Sequence, residues 1–441
     1  MHMEEFNFNK KSAENYALVN ADILFPGKKI LIRSTLLIKN KLVEDFGDHI
    51  KVNELNDDYK IIDCKGLIVS PGIIDMRVQI REPGLEHQET IKSISKSACS
   101  GGITSLVCLP NTNPVIDQPA LIHSIQRKAR EVALTKIFCT GAITRNLLGK
   151  EIAELQLMKE SGALGYTDAI RAVADARVMR RALTYVKSFD GLIIQHPEEI
   201  SLSREGVVNE GEISTRLGLK GIPSYAEAMI IERDLWLVRD TKSRYHVSHI
   251  STNAAVEIIK KAKKEGLNIT CDTAPPYFTL NELAVENYRT FSKLSPPLRT
   301  EEDRVSIING INDGTIDAIV SDHTPQDQDA KRLPFNQAEY GAVGLETLLS
   351  LTLGLVRNNS IDLCKAFSLI TENPAKILGL NSGQIKKGEE ADIIIFDPSK
   401  PWKINPEKFY SKSKNTPFDG MVVEGKNLMT FVRGRLVFRS Q

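Results

Sequence analysis

The sequence predicts an α/β protein, a (β/α)8 TIM barrel with a smaller β-sandwich domain formed by both chain ends. Three observations predict it. The middle of the 441-residue chain alternates short apolar runs with longer helix-like stretches. Both ends are built instead of short β-like runs broken by charged turns. No G-x-G-x-x-G turn follows the first apolar run of the middle, which counts against a doubly wound sheet, the main competitor.

Taken in order, 14–70 contains YALVNADIL, KKILIRSTLLIKN and YKIIDCKGLIVS, with no long amphipathic stretch. The C-terminal part repeats that character in ADIIIFDP, GMVVEGK and LMTFVRGRLVFRS. The expected domains are therefore 14–70 plus 384–441 as the sandwich, with the barrel at 71–383 between them. Strands of the barrel are expected at 72–80, 103–110, 136–143, 163–168, 191–196, 244–250, 268–275 and 317–323. Helices are expected from HQETIKSISKSACS, QPALIHSIQRKAREVA, GKEIAELQLMKES, DARVMRRALTYVKSF, SYAEAMIIERDLWLVRD, TNAAVEIIKKAKKEG, TEEDRVSIINGIND and GLETLLSLTLGLVRNN. A helix-rich insertion, 202–239, is expected between the fifth and sixth strands.

Composition bounds the partners. Charged residues are 26%, hydrophobic ones 41%, and the formal net charge is +1, so no nucleic acid or membrane surface is expected as partner. No apolar run reaches the roughly 20 residues that span a bilayer. The N-terminus, MHMEEFNFNKKSAENY, is polar and is not expected to be a leader. The cysteines, Cys64, Cys99, Cys108, Cys139, Cys271 and Cys364, share no C-x-x-C spacing, and several sit in apolar runs. A reduced, cytoplasmic chain with buried thiols is expected.

A barrel gathers the residues that close its strands into one pocket, however far apart they lie in sequence. Here those residues are Arg77, Gln79 and Arg81 on the first strand, Asn111 after the second and Asp168 on the fourth. His196 closes the fifth strand, His249 the sixth, and Asp322 with His323 the eighth. Imidazoles and carboxylates at one mouth suit a divalent ion with an activated water. Singly, each has an ordinary structural role: a strand-end His as hydrogen-bonder, a strand-end Asp as helix N-cap. For Arg81 that role is an ion pair with Glu82 or a nearby loop carboxylate, and for Asn111 it is turn formation in PNTNP. His2, His49, His87, His123 and His246 have no such placement and are expected on the surface or in the core.

The segments SPGIIDMRVQIREPG, GGITSLVCLPNTNPV, GALGYTD, IIQHPEE, NEGEISTRLGLKGIPSYAEA, YHVSHIST, KLSPPLRTEEDR, DGTIDAIVSDHTPQD and GLETLL, in this order, resemble the dihydroorotases of the amidohydrolase superfamily, as does the C-terminal GQIKKGEEADIIIFDPS. The resemblance implies reversible opening of dihydroorotate to carbamoyl aspartate in pyrimidine biosynthesis. It implies zinc held by Asp168, His196, His249 and Asp322, with Asp322 also moving the proton of the attacking water. It implies a substrate carboxylate held by Arg81 and Asn111, with Ser295 and Gln326 as further substrate positions. A homodimer is implied as well.

The departures from the family pattern fall on those same positions. The first-strand His-x-His is Arg77 and Gln79. Ser295 stands where the family usually has Asn, Gln326 where it has His, and Pro276 and Tyr277 where it has a seventh-strand histidine pair. One zinc ion or none is therefore expected rather than two, because a guanidinium has no lone pair to donate. It can instead set a positive charge beside Asp168 or Asp322 in place of a metal. Three functions stay open: a dihydroorotase with an altered site, a catalytically inactive homologue that is a structural partner of aspartate carbamoyltransferase, and an amidohydrolase for another cyclic amide.

Overall fold

The structure, a computed structural model, describes residues 14–55 and 57–440. His2 and the polar N-terminal segment up to residue 13 lie outside the described residues. The apolar runs of the middle form eight parallel strands. They are β1 (Ile73–Val78), β2 (Ile103–Cys108), β3 (Lys136–Gly141), β4 (Ala163–Tyr166), β5 (Leu192–Gln195), β6 (Arg244–Val247), β7 (Ile269–Thr273) and β8 (Ala318–Ile319). They pair in unbroken order from β1 to β8. The ends close through a parallel bridge between Val78 and His323, where Gln79 N donates to His323 O at 2.9 Å.

Outer helices follow where capping residues start them. Thr90 closes a capping box with Ser93 ahead of Ile91–Ser100, and Asp175, Thr252 and Thr300 cap Ala176–Lys187, Asn253–Lys264 and Glu301–Asp313. Ile74, Met76, Val107, Leu192, Ile194, Ala318 and Val320 pack in one buried cluster. The larger cluster between strands and helices includes Ile94, Ile103, Leu106, Leu183, Ile193, Val247 and Ile259.

Two expected elements differ. The helix expected over GKEIAELQLMKES is only Leu155–Glu160. The residues before it pair with the chain leaving β3 instead, Arg145 N to Glu151 O at 2.8 Å and Ala153 N to Ile143 O at 2.9 Å, so their backbone groups are unavailable for a helical turn. The eighth strand is two residues long, Ala318–Ile319, and the chain turns to positive φ at Asp322 (+50°). The 202–239 stretch is helix-rich as expected, in two different parts. Ile200–Ser203 and Glu212–Leu217 are short helices beside a parallel two-stranded ladder of Val208–Asn209 with Gly221–Ile222, while Tyr225–Thr241 is an outer helix of the barrel. Four glycines, Gly206, Gly211, Gly218 and Gly221, deny 202–224 a continuous helix. Arg299 ties this segment to the mouth, donating to Asn209 Oδ1 at 2.9 Å and Ile222 O at 3.0 Å.

Both chain ends share one mixed eight-stranded sheet. Its N-terminal strands are Asn15–Phe25, Ile30–Lys39, Leu42–Gly47, Tyr59–Asp63 and Ile68–Pro71; its C-terminal strands are Ile393–Lys403, Val422–Val432 and Arg435–Arg439. Alternate residues of the first strand, Tyr16, Leu18, Ile23 and Phe25 among them, pack with Ile393, Ile395 and Phe431. Tyr16 and Phe431 lie on strands with two others between them, yet their rings meet edge-to-face at 5.0 Å. The sheet therefore curls around its own core. Ile68–Pro71 pairs with both ends of the chain and reaches β1 through Gly72 alone.

Candidate active site

The mouth of the barrel lies at the C-terminal strand ends. Four non-glycine residues there adopt positive φ: Arg81 (60°), Ala169 (60°), His249 (39°) and Asp322 (50°). Each such turn costs on the order of 1 kcal/mol or more, and clustered turns of this kind mark a site whose geometry outranks local stability. In the loop after β1, a Cβ on Gly84 would sit 2.2 Å from Asn113 O, so only glycine lets Arg-Glu-Pro-Gly pack against the turn after β2.

Arg77 starts on β1 and crosses the bore. Its Nε donates to Asp322 Oδ1 at 2.8 Å, one terminal nitrogen to Ser248 Oγ at 3.3 Å and the other to Ala169 O at 3.3 Å. Its partners thus stand beyond the ends of β8, β6 and β4, and its side chain is 2% exposed. Of the two carboxylates expected near it, Asp322 takes the ion pair. Asp168 turns away: its Oδ1 accepts from Ile143 N at 3.0 Å and Thr144 N at 2.9 Å, and its Oδ2 accepts from Thr144 Oγ1. Burial raises the Asp168 carboxyl to about 6 against the opposing pull of those bonds.

The histidines continue the chain of contacts. His249 Nδ1 lies 3.3 Å from Asp322 Oδ2, and His249 Nε2 lies 2.7 Å from His196 Nδ1. Burial, His249 and the Arg77 charge push His196 well below the usual histidine value, so it is neutral. Burial by itself would raise Asp322, but His249 and Arg77 together outweigh it and hold the carboxyl low. His196 Nε2 is buried and makes no hydrogen bond; Glu198 Oε2 lies 4.0 Å from it.

The remaining expected positions are turned to one another. Gln79 Nε2 donates to Thr324 Oγ1 at 2.9 Å, and Gln79 Oε1 accepts from Asn111 Nδ2 at 3.0 Å. Arg81 does not pair with Glu82: its Nε donates to Pro325 O at 3.1 Å, while Glu82 accepts from Ile91 N at 2.7 Å. Burial lowers the Arg81 guanidinium to about 10. Gln326 Nε2 donates to Tyr340 O at 2.8 Å. Ser295 precedes a cis peptide at Pro296, whose carbonyl accepts from Tyr277 Oη at 3.0 Å. Tyr277 is buried and close enough for the Asp322 charge to add to the burial that raises its phenol. His246 is a core residue, with Nδ1 2.8 Å from Thr270 Oγ1 and Nε2 2.7 Å from Asp272 Oδ2.

The expected ligand set does not fit a metal ion in this arrangement. The Asp168 oxygens face backbone and hydroxyl donors, Asp322 Oδ1 faces a guanidinium, and the two imidazoles hydrogen-bond each other. Among the described residues, no three His, Cys, Asp or Glu side chains converge to hold an ion. The physical reason is Arg77, which brings a fixed cation where ligands would need a shared one. The cavity beside Asp322, lined by Pro275, Pro276, Leu294 and Phe418 among others, is about 10 Å³. That is roughly room for one water, against the roughly 300 Å³ or more of a small-molecule site. A groove of about 350 Å³ lies elsewhere, between Asn253–Lys264 and Glu301–Asp313 on the outside of the barrel.

Thr144, Ser248 and Tyr277 were not among the candidates. Thr144 follows the third strand and was open to the same strand-end rule that found Asp168. Ser248 adjoins His249 and carried no signal of its own. Tyr277 was visible only as a departure from the family pattern.

A closed parallel barrel with carboxylates and imidazoles at its strand ends, beside a sheet built from both termini, defines an amidohydrolase-type protein. A family model described as dihydro-orotase-like matches residues 66–255, and one described as amidohydrolase family matches 341–438. A dihydroorotase of Geobacter sp. (strain M21) is 42% identical over 426 residues, covering 97% of this chain and 100% of the relative. A dihydroorotase of Ehrlichia chaffeensis is 42% identical over 427 residues, covering 96% and 95%. The chain belongs to the dihydroorotase family. In fold it is similar to the L-hydantoinase of Arthrobacter aurescens, with a TM-score of 0.86 at 24% identity over 96% of each chain. The dihydropyrimidinase of Brevibacillus agri gives 0.83 at 22% identity, covering 96% of this chain and 95% of that one.

Proposed function

We propose that this is a dihydroorotase-family protein of pyrimidine biosynthesis whose barrel mouth does not carry out the hydrolysis, and which acts as a structural partner of aspartate carbamoyltransferase. The observation that carries the first half is Arg77 lying across the bore, paired with Asp322. Opening a cyclic amide needs a polarised carbonyl and a base free to take a proton from water. Here both Asp322 oxygens already face donors, one Arg77 and one His249. The groups that would hold a substrate carboxylate face protein instead, Asn111 towards Gln79 and Arg81 towards Pro325. The partner comes from the family resemblance, and a homodimer is proposed on the same ground.

The test is an assay of the purified full chain for carbamoyl aspartate cyclisation and dihydroorotate hydrolysis, with and without added zinc. No turnover above the Asp322→Ala variant is expected. Turnover that requires zinc and disappears in that variant would instead establish an active dihydroorotase. Sedimentation of the chain with aspartate carbamoyltransferase from the same cell is the second arm; two species migrating independently would sink the partner assignment.

A further inference from the structure

We infer that the outward face of the helix Tyr225–Thr241 is where two copies of this chain dock, helix against antiparallel helix across a two-fold axis. This rests on the homodimer proposed above and names its contact. The helix is apolar on two sides. Its inner side packs on the barrel through Ala226, Ile230, Ile231, Leu235 and Val238, all buried. Its outer side carries Tyr225, Met229 and Trp236, exposed at 53%, 51% and 69%. Steps of four and seven residues stack these three in one stripe, with Glu232 inside it. An outer helix that faced only water would be polar on that side.

Three observations choose a second copy as the occupant. The first is spacing. Antiparallel docking that sets Tyr225 opposite Trp236 of the second copy also sets Met229 opposite its Glu232, because the two pairs share one midpoint in the sequence. Such self-complementarity is what a two-fold contact requires. The second is charge. The ions bordering the stripe are already matched within the chain: Arg233 with Asp234 at 2.7 Å, Arg239 with Glu265 at 2.8 Å and Asp240 with Arg180 at 2.9 Å. Arg239 also lies over the Trp236 ring, 5.1 Å from its centre. An acidic or basic partner would find little free counter-charge there, whereas a second copy needs none. The third is area. Tyr225, Met229 and Trp236 leave on the order of 300–400 Å² of side chain in water, about half of the roughly 800 Å² that each partner buries in a standard interface, and aromatic anchors of this kind form its centre. The polar residues around the stripe would supply the rim. The arrangement also has a cost. It places the two copies of Glu232 on either side of the axis, about 4.5 Å apart along the helix direction, where like charges oppose association. That cost follows only from the two-fold pairing.

The experiment is sedimentation equilibrium over a dilution series, giving the dimer Kd of the natural chain, Trp236→Ala, Tyr225→Ala, Glu232→Gln and Val422→Ser. Val422, also 69% exposed but on the sheet, is the control. A dimer is expected for the natural chain. Its Kd should rise at least about 30-fold in Trp236→Ala, fall about twofold or more in Glu232→Gln and stay unchanged in Val422→Ser. Tyr225→Ala should weaken the same contact, so misfolding of one variant does not remove the test. Trp236 is one of two tryptophans, and the other, Trp402, donates to Gly425 O within its own chain. Tryptophan emission should therefore move to the red as dilution separates the copies. A natural chain that stays monomeric overturns this inference and the homodimer together. A dimer indifferent to both Trp236→Ala and Tyr225→Ala, or one whose dissociation leaves the emission fixed, overturns the inference and leaves the homodimer standing. Weakening by Glu232→Gln as well as by Trp236→Ala would overturn the antiparallel two-fold pairing. Loss of aspartate carbamoyltransferase binding in Trp236→Ala, with the dimer intact, would assign the face to that partner and overturn the inference too.

Discussion

At the scale of single residues, the buried pair of Arg77 and Asp322 dominates the mouth. Two opposite charges about 4 Å apart near a protein surface attract by roughly 4 kcal/mol, which offsets part of the cost of taking the guanidinium out of water. Removing one partner leaves the other charge uncompensated. Asp322→Asn keeps the shape and an acceptor but takes away the one carboxylate that, among the described residues, forms an ion pair with the Arg77 guanidinium. Because the Asp322 side chain keeps 17% of its surface exposed, a loss near the lower end of roughly 3–5 kcal/mol is expected. Urea unfolding of the two proteins measures it; a difference within about 0.5 kcal/mol, as for an ordinary surface substitution, would show that the pair is not what holds the mouth together.

At the scale of elements, the loops above the strands are fixed by buried carboxylates. Glu89 and Glu346 pin the C-terminal segment 409–418 over the barrel. Glu89 accepts from Lys412 N at 3.2 Å, while Glu346 Oε1 accepts from Tyr410 N at 2.7 Å, Ser411 N at 3.1 Å and Ser97 Oγ at 2.9 Å. Asn415 then clasps Thr324 O at 3.0 Å and Gly341 O at 2.9 Å. Burial pushes Glu346 up to about 7 in spite of those bonds. Between the ordinary carboxyl value and that point, the folded chain holds a proton that the unfolded chain has released. Stability from this group is therefore full at low pH and declines as pH rises through about 7. Glu346→Gln keeps an acceptor and cannot ionise, so its stability relative to the natural chain should climb across that window, by at most about 1.4 kcal/mol per pH unit. Urea midpoints from pH 4.5 to 8 follow the difference; a flat difference would place the titration elsewhere.

At the scale of the whole molecule, the two proposed domains are not separable by a linker. Ile68–Pro71 is a strand of the curled sheet, Gly72 follows, and β1 begins at Ile73. Ile394 pairs with Ser70 in the sheet and also belongs to the barrel's outer cluster. Lys136 at the start of β3 pairs with Glu390 and Asp392 just before the C-terminal strands. Barrel and sheet should therefore unfold together. Thermal unfolding followed by near-ultraviolet and far-ultraviolet circular dichroism is expected to give coincident single transitions. Two resolved transitions would show that the sheet is an independent unit.

The sequence by itself determined the barrel, the sheet built from both ends and the family, because these are written in local periodicity and contiguous motifs. Eight apolar runs can be counted, and strand-end residues can be placed at one mouth by topology alone. The family resemblance also led to the expectation that Arg77 stands at a ligand position and pairs with one of two carboxylates. What only the tertiary structure decided was which carboxylate, and what the other donors do. Asp168 is claimed by Thr144 and the backbone after β3, a contact 24 residues distant. Asp322 is left for Arg77, 245 residues away. The histidine contact spans 53 residues. Such choices depend on which donor lies within about 3 Å after eight strands have been brought around one axis. No local pattern carries that distance, which is why the fold and the cast of the site were legible and their pairing was not.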